Sequence, residues 1–183
     1  MSAIPREKYL SSTQRGFTLL ELVVVITIIS ALVVVALDRF YKLMVDVERT
    51  SMEHDLGVMR SAIGMQVAGH FVAGDLQGLL KLAESNPMEL LAEKPSNYLG
   101  VLSSYEFDKL EKGSWIYDGN TQTLIYLVRN HVYFESSLSK PARARFKIFP
   151  VYSDRITGDV NKKYISGLTL KNIEPYQWLR PWD

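Results

Sequence analysis

Residues 22–37 limit what this chain can become more than any other stretch: sixteen consecutive residues, rich in Val, Ile and Leu, with no charge. Extended back to Phe17 the run covers 21 residues, about 32 Å of α-helix, enough to cross a bilayer core. In lipid every backbone polar group must be satisfied within the segment, so this β-branched run is read as a helix. Arg15 bounds it on one side and Asp38-Arg39 on the other. The N-terminal flank carries Arg6, Lys8 and Arg15 against Glu7. That bias predicts a cytoplasmic flank, with the residues after the span on the far side.

Glu21 interrupts the pattern. A carboxylate inside an apolar segment costs about 2.5–3.5 kcal/mol on insertion scales, so it calls for a partner. A cut after Gly16 would give Phe17 a free ammonium four residues before Glu21, and that amine, in the same chain or a neighbouring one, is a counter-charge. The other reading is an acid lying shallowly at the interface and solvated by headgroups.

The heptapeptide Arg15-Gly16-Phe17-Thr18-Leu19-Leu20-Glu21, leading without a break into the apolar run, resembles the class III signal of type IV pilins and type II secretion pseudopilins. The resemblance implies that a membrane prepilin peptidase cleaves after Gly16 and that Phe17 is N-methylated. It also implies a filament packed through the apolar helix, with Glu21 pairing with a neighbour's amine and setting register. The implied partners are the peptidase, other pilin or pseudopilin subunits and an inner-membrane assembly platform. The implied location is a single-pass inner-membrane protein with its C-terminal domain in the periplasm, or a filament. Residues 86–88 (Asn-Pro-Met), 97–100 (Asn-Tyr-Leu-Gly), 113–115 (Gly-Ser-Trp) and 117–118 (Tyr-Asp) are similar to minor pilins of the mannose-sensitive haemagglutinin type and related secretion subunits.

Two alternatives stand beside this one. An ordinary secretory signal would use Val34 and Ala36 as its cleavage site, but its apolar core spans about 7–15 residues and would not contain Glu21. An uncleaved anchor would instead carry a periplasmic binding module for DNA or a secreted protein.

The remaining sequence predicts an α+β pilin ladle: residues 1–16 a cleaved leader, 17–37 the membrane and assembly helix, and 38–183 one periplasmic domain. Removing 1–16, which hold three of 21 basic and one of 20 acidic residues, leaves 167 residues with 18 basic, 19 acidic and a formal charge of −1. That balance argues against a general polyanion binder. There is no cysteine, so no disulfide or thiolate chemistry, and the C-terminal region must be held by packing or by a metal.

Helix is expected to about residue 73, because Met52, Leu56, Met59, Ile63, Val67 and His70 recur at three- and four-residue steps. Gly57 and Gly64 flank that stripe, where close packing would account for two helix-weakening residues. A connecting region, 74–112, holds a short leucine-rich helix after Gly74, a helix from Pro87 to about Glu93 capped by Asn86, and a loop over 97–112. Residues 113–183 are expected to form about four antiparallel strands. Asp118-Gly119-Asn120 marks a hairpin, 122–129 is apolar on both faces and so central, 142–149 alternates, 153–163 reads as a polar loop and 164–173 as the last strand.

Candidate chemistry is sparse. His54 and His70, sixteen residues apart, lie about 160° apart around a helix and cannot share a ligand. No nucleophile–base or phosphate-loop pattern is present, which argues against an enzyme. Arg143, Arg145 and Lys147 form a basic row, read as a solvated strand face with DNA or an acidic partner as the functional alternative. Asp154, Asp159 and Asn161 share a loop and offer oxygen ligands suited to calcium, although two carboxylates fall short of a motif. No other cofactor is expected.

Overall fold

The computed structural model describes residues 16–157 and 160–180, with the side chains of 155–157 and 160–163 left out of the account. The chain falls into two compact units, Met1–Tyr41 and Lys42–Asp183. Helix α1 runs unbroken over Leu19–Ala73, 55 residues, and contributes to both. In the first unit every described residue from 16 to 41 is exposed.

In the second unit α1 buries Met52, Leu56, Met59 and Ile63 of the expected stripe and adds Val45, while Val67 and His70 are half-buried. Ala73 is the last helical residue, and Gly74 takes φ +67°, a left-handed stop that glycine adopts without a Cβ penalty. Helix α2, Leu76–Ala83, starts on Asp75, whose carboxylate accepts from the Gly78 amide. Burying Leu79 and Leu82 holds α2 on the core. Asn86 caps the next segment as expected, but the predicted helix to Glu93 is a single 3-10 turn, Pro87–Leu90. It stops because Leu91 is already extended.

Among the described residues seven strands follow: β1 Tyr98–Leu102, β2 Ser114–Asp118, β3 Thr123–Leu127, β4 Phe134–Ser136, β5 Arg143–Thr157, β6 Val160–Asn172 and β7 Tyr176–Trp178. Five form one sheet in the order β1-β2-β3-β5-β6, and β4 with β7 forms a second. The expected count of about four antiparallel strands is therefore exceeded, and the β1–β2 pair is parallel.

The region read as a loop over 97–112 supplies that first strand and its crossover. A parallel pair cannot be joined by a tight turn, so the chain must cross a face of the sheet. Tyr105, Phe107 and Leu110 of the crossover cover Ile116, Ile125 and Leu127 there. On the opposite face Trp115, Tyr117, Leu124, Tyr126, Phe146 and Ile148 join the α1 stripe in the main core. Strand β3 is buried at all five positions, as its two apolar faces required.

Over residues 153–157 and 160–163 the expected polar loop is instead strand backbone. The β5–β6 register continues through Asp154↔Lys163 to Thr157↔Val160. Backbone pairing sustains an edge hairpin whatever its side chains, so polar composition was a poor guide here. Pro150 sits within β5 but beyond the β3 pairing, which ends at Phe146. A proline is tolerated where a strand has a free edge.

Close packing does not account for the helix glycines: a Cβ at Gly57 or Gly64 would meet nothing within 4 Å. Gly64→Ala is accordingly expected to stabilise the domain by roughly 0.5–1 kcal/mol, read as a higher denaturation midpoint.

The β2–β3 hairpin is fixed at Asp118. Its carboxylate accepts from the Asn120 amide at 2.9 Å, the Thr121 hydroxyl at 2.7 Å and the Tyr105 hydroxyl at 3.0 Å. Burial pushes the Asp118 carboxyl up, but these bonds outweigh it and hold it below the usual carboxylate range. The Tyr105 phenol is pushed up to about 12, first by its own burial and then by this carboxylate. A depressed carboxyl stabilises the fold above its unfolded pKa and loses that contribution as pH falls through the folded value. Asp118→Asn should cost about 1.5–3 kcal/mol at pH 7, the range of hydrogen bonds to a charged group. The gap from the parent should close as both are titrated into acid, measured by urea unfolding across pH.

Candidate functional site

The first unit carries the expected processing and assembly residues. Gly16, Phe17 and Thr18 precede the helix and are exposed. Thr18 caps α1: its hydroxyl accepts from the Glu21 amide at 3.2 Å, and its carbonyl accepts from the Leu22 amide at 3.1 Å. The Thr-x-x-Glu order is that of a capping box, and it places the Glu21 carboxylate in the first turn, near the positive end of the helix dipole.

The other polar side chains of the apolar run are satisfied within the helix. Thr27 Oγ1 donates to the Val23 carbonyl and Ser30 Oγ to the Ile26 carbonyl, both at 2.8 Å. These back-bonds let hydroxyls sit in an apolar environment without an external acceptor. The Glu21 carboxylate is different: it makes no hydrogen bond or ion pair among the described residues. Around it Leu19 and Leu20 are 81% and 73% exposed, and the apolar surface continues through the run. By length and composition α1 contains one segment able to cross a membrane, none of it buried within the chain. Arg15 and the rest of the expected leader lie outside the described residues.

The basic row is placed differently from a free, solvated face. Arg143, Arg145 and Lys147 are half-buried on the side of the sheet that the crossover covers. Arg143 lies 4.5 Å from the Phe107 ring centre and donates to the Ser139 and Pro141 carbonyls. Arg145 forms a two-pronged ion pair with Glu174, with Nε 3.1 Å from Oε2. The Glu174 hydrogen bond raises the Arg145 pKa, while burial lowers that of Arg143. Lys147 Nζ donates to the Thr121 carbonyl at 3.3 Å. All three therefore have partners inside the chain.

Asp154 is exposed on β5, while Asp159 and the Asn161 side chain lie outside the described residues. Among the described residues no cluster of three or more His, Asp or Glu side chains is placed to hold a metal. His70 Nδ1 lies 3.1 Å from Asp75 Oδ2 at the α1–α2 corner, and His54 and His131 are exposed on different elements. Of the expected tail aromatics, Trp178 is buried in β7 and stacks edge-on against Phe134 at 5.0 Å. Trp182 lies outside the described residues.

Sequence reasoning missed the buried carboxylate of Glu48, which is 9% exposed on α1. The available signal was its position one turn before Met52 on the apolar stripe, where a charge is out of pattern.

Compared with known proteins, residues 11–37 match the model of the prokaryotic N-terminal methylation motif. The match identifies this segment as a class III signal of the prepilin type. It supports a type IV pilin- or pseudopilin-like subunit and points to a structural rather than a catalytic protein. No curated protein and no solved structure matches the chain.

Proposed function

We propose that this protein is a processed filament subunit, a minor pilin or pseudopilin, cleaved after Gly16, methylated at Phe17 and assembled through residues 17–37. Glu21 sets register by pairing with the N-terminal amine of a neighbouring subunit. The observation that carries this reading is the methylation motif on a fully exposed apolar helix whose one acidic side chain makes no hydrogen bond or ion pair among the described residues. N-methylation leaves the amine positive, so the pairing survives the modification. The neighbour supplies what the described residues do not: a counter-charge for Glu21 and cover for the apolar surface.

In this reading the prepilin peptidase and the inner-membrane platform are the protein's partners. The C-terminal domain lies in the periplasm or along a filament, and the protein is substrate rather than catalyst. The absence of cysteine to staple the C-terminal region favours the minor subunit. The alternative of an uncleaved binding module loses its main support, because the basic row is engaged within the chain.

Intact mass with N-terminal analysis of protein recovered from membranes tests the proposal. A chain beginning at methylated Phe17 is expected. A chain that retains residues before Phe17 would make it a bitopic anchor and end the filament assignment.

A further inference from the structure

The aromatic side chains divide into two populations. In the C-terminal unit Trp115, Tyr126, Phe134 and Phe146 pack inward and are at most 6% exposed. The three most exposed Phe, Tyr or Trp side chains among the described residues lie elsewhere: Phe17 at 71%, Tyr41 at 68% and Phe40 at 58%. They bracket the apolar run, with Phe17 at its start and the pair just beyond its end at Leu37. Phe40 and Tyr41 also close the first unit, Met1–Tyr41. Among the described residues neither ring contacts another ring or a cation, and the Tyr41 hydroxyl makes no hydrogen bond. Two adjacent large rings left uncovered mark an interaction surface rather than scattered exposure.

Position along the helix decides what that surface meets. The 21 residues of 17–37 rise about 32 Å, which matches a hydrocarbon core of about 30 Å. The polar layers bring the bilayer to about 40–45 Å, so each is roughly 5–8 Å deep. Residues 38–42 climb about 7.5 Å and fall in that layer, with Phe40 and Tyr41 near its middle. A tilt of about 20° shortens the run's projection by only about 2 Å and leaves the pair there. Phe40 follows Ala36 by four residues and Leu37 by three, so it stands on their face of the helix. Helical side chains tilt toward the N-terminus, here toward the lipid tails, so the Phe40 ring covers the hydrocarbon edge. Tyr41 adds an apolar ring with a polar tip, the combination that concentrates at membrane interfaces. Asp38, Arg39 and Lys42 surround the pair in sequence. A dry protein interface would have to desolvate those charges, whereas the headgroup layer keeps them hydrated.

We propose that Phe40 and Tyr41 are an aromatic anchor whose partner is the phospholipid headgroup layer. They hold the C-terminal end of the span at the bilayer surface while the subunit is in the membrane. The inference rests on the membrane placement of residues 17–37 in the proposed function, and on neither cleavage nor filament assembly. An anchored end stays at its own surface when bilayer thickness changes, and the mismatch is taken up by tilt or at the other end.

The test uses the full-length chain, which has no cysteine, reconstituted at high lipid dilution with one spin-labelled cysteine introduced at a time. Label depth is read from the relative accessibility to oxygen and to a water-soluble nickel chelate. Val25→Cys reports the span, and Phe40→Cys reports the level of the anchor. Leu37→Cys is compared in vesicles of dioleoyl- and the thicker dierucoylphosphatidylcholine, with and without Phe40→Ser and Tyr41→Ser together. The Val25 label should lie at mid-bilayer and the Phe40 label at headgroup depth. With the aromatics present, the Leu37 label should keep its depth below the nearer surface to within one residue's rise, about 1.5 Å. Without them it should drift by at least two residues' rise, about 3 Å. A drift no larger without the aromatics than with them overturns the anchor. A Phe40 label shielded from both reagents also overturns it, because protein and not lipid then covers the position. A Val25 label open to the nickel chelate removes the membrane placement itself, and the anchor falls with it.

Discussion

Glu21→Ala is expected to remove the protein from filaments while leaving cleavage after Gly16 and the stability of the C-terminal domain unchanged. The charge makes no hydrogen bond or ion pair among the described residues, and its backbone amide, which bonds Thr18, remains in the variant. Removing it also relieves about 2.5–3.5 kcal/mol of membrane cost, so the isolated variant should insert at least as well as the parent. The loss falls entirely on association. Breaking one side of a desolvated ion pair costs about 3–5 kcal/mol, because the partner charge is left buried. At about 1.4 kcal/mol per decade, that corresponds to a reduction in incorporation of about two orders of magnitude or more. Immunoblotting of sheared filaments against the membrane fraction reads it directly. Glu21→Gln should fall between the two, since an amide can still accept a hydrogen bond from the amine. Normal incorporation of Glu21→Ala would remove the register role from Glu21.

The features legible in the sequence were those written locally. The membrane run, the helix end at Gly74, the Asn86 cap, the hairpin at Asp118-Gly119-Asn120 and the doubly buried β3 each follow from a few adjacent residues. What stayed hidden was set by distant pairing. The crossover carrying Tyr105 and Phe107 reads as a loop until the face it covers is known, and β1 is a strand because β2 offers it an edge. The same holds for the basic row: alternation along β5 placed Arg143, Arg145 and Lys147 on one face, yet only the fold brings Glu174 and Phe107 to them. The methylation motif belongs to the legible class, because its signal lies in a short run of consecutive residues. The buried carboxylate of Glu48 belongs to the other class, since it meets partners 78 to 82 residues away.

Trp115→Ala should cause the largest loss of stability of any single change in the C-terminal domain. Trp115 is fully buried, with its ring 4.8 Å from that of Tyr126 and 5.8 Å from that of Phe146, between α1 and the sheet. Truncating a buried tryptophan costs about 3–5 kcal/mol, and here it also strips the indole donor from the half-buried Asp55 carboxylate. Against the 5–15 kcal/mol typical of a whole domain, such a loss leaves the fold marginal at best. Trp115→Phe separates the two contributions, keeping most of the ring volume and deleting the indole N–H. That variant should lose about 1–2 kcal/mol at pH 7.

The pH dependence identifies the source of that loss. Burial raises the Asp55 carboxyl above the usual carboxylate range, and the Trp115 hydrogen bond pulls it back. Without the indole donor the carboxyl rises further. A carboxyl raised by folding is least costly when protonated, and its penalty appears as pH climbs through the folded value. The deficit of Trp115→Phe should therefore shrink in mild acid and widen toward neutrality, read from urea midpoints between pH 4 and pH 8. A deficit that stays flat across that range would show that packing, and not the Asp55 charge, governs the position.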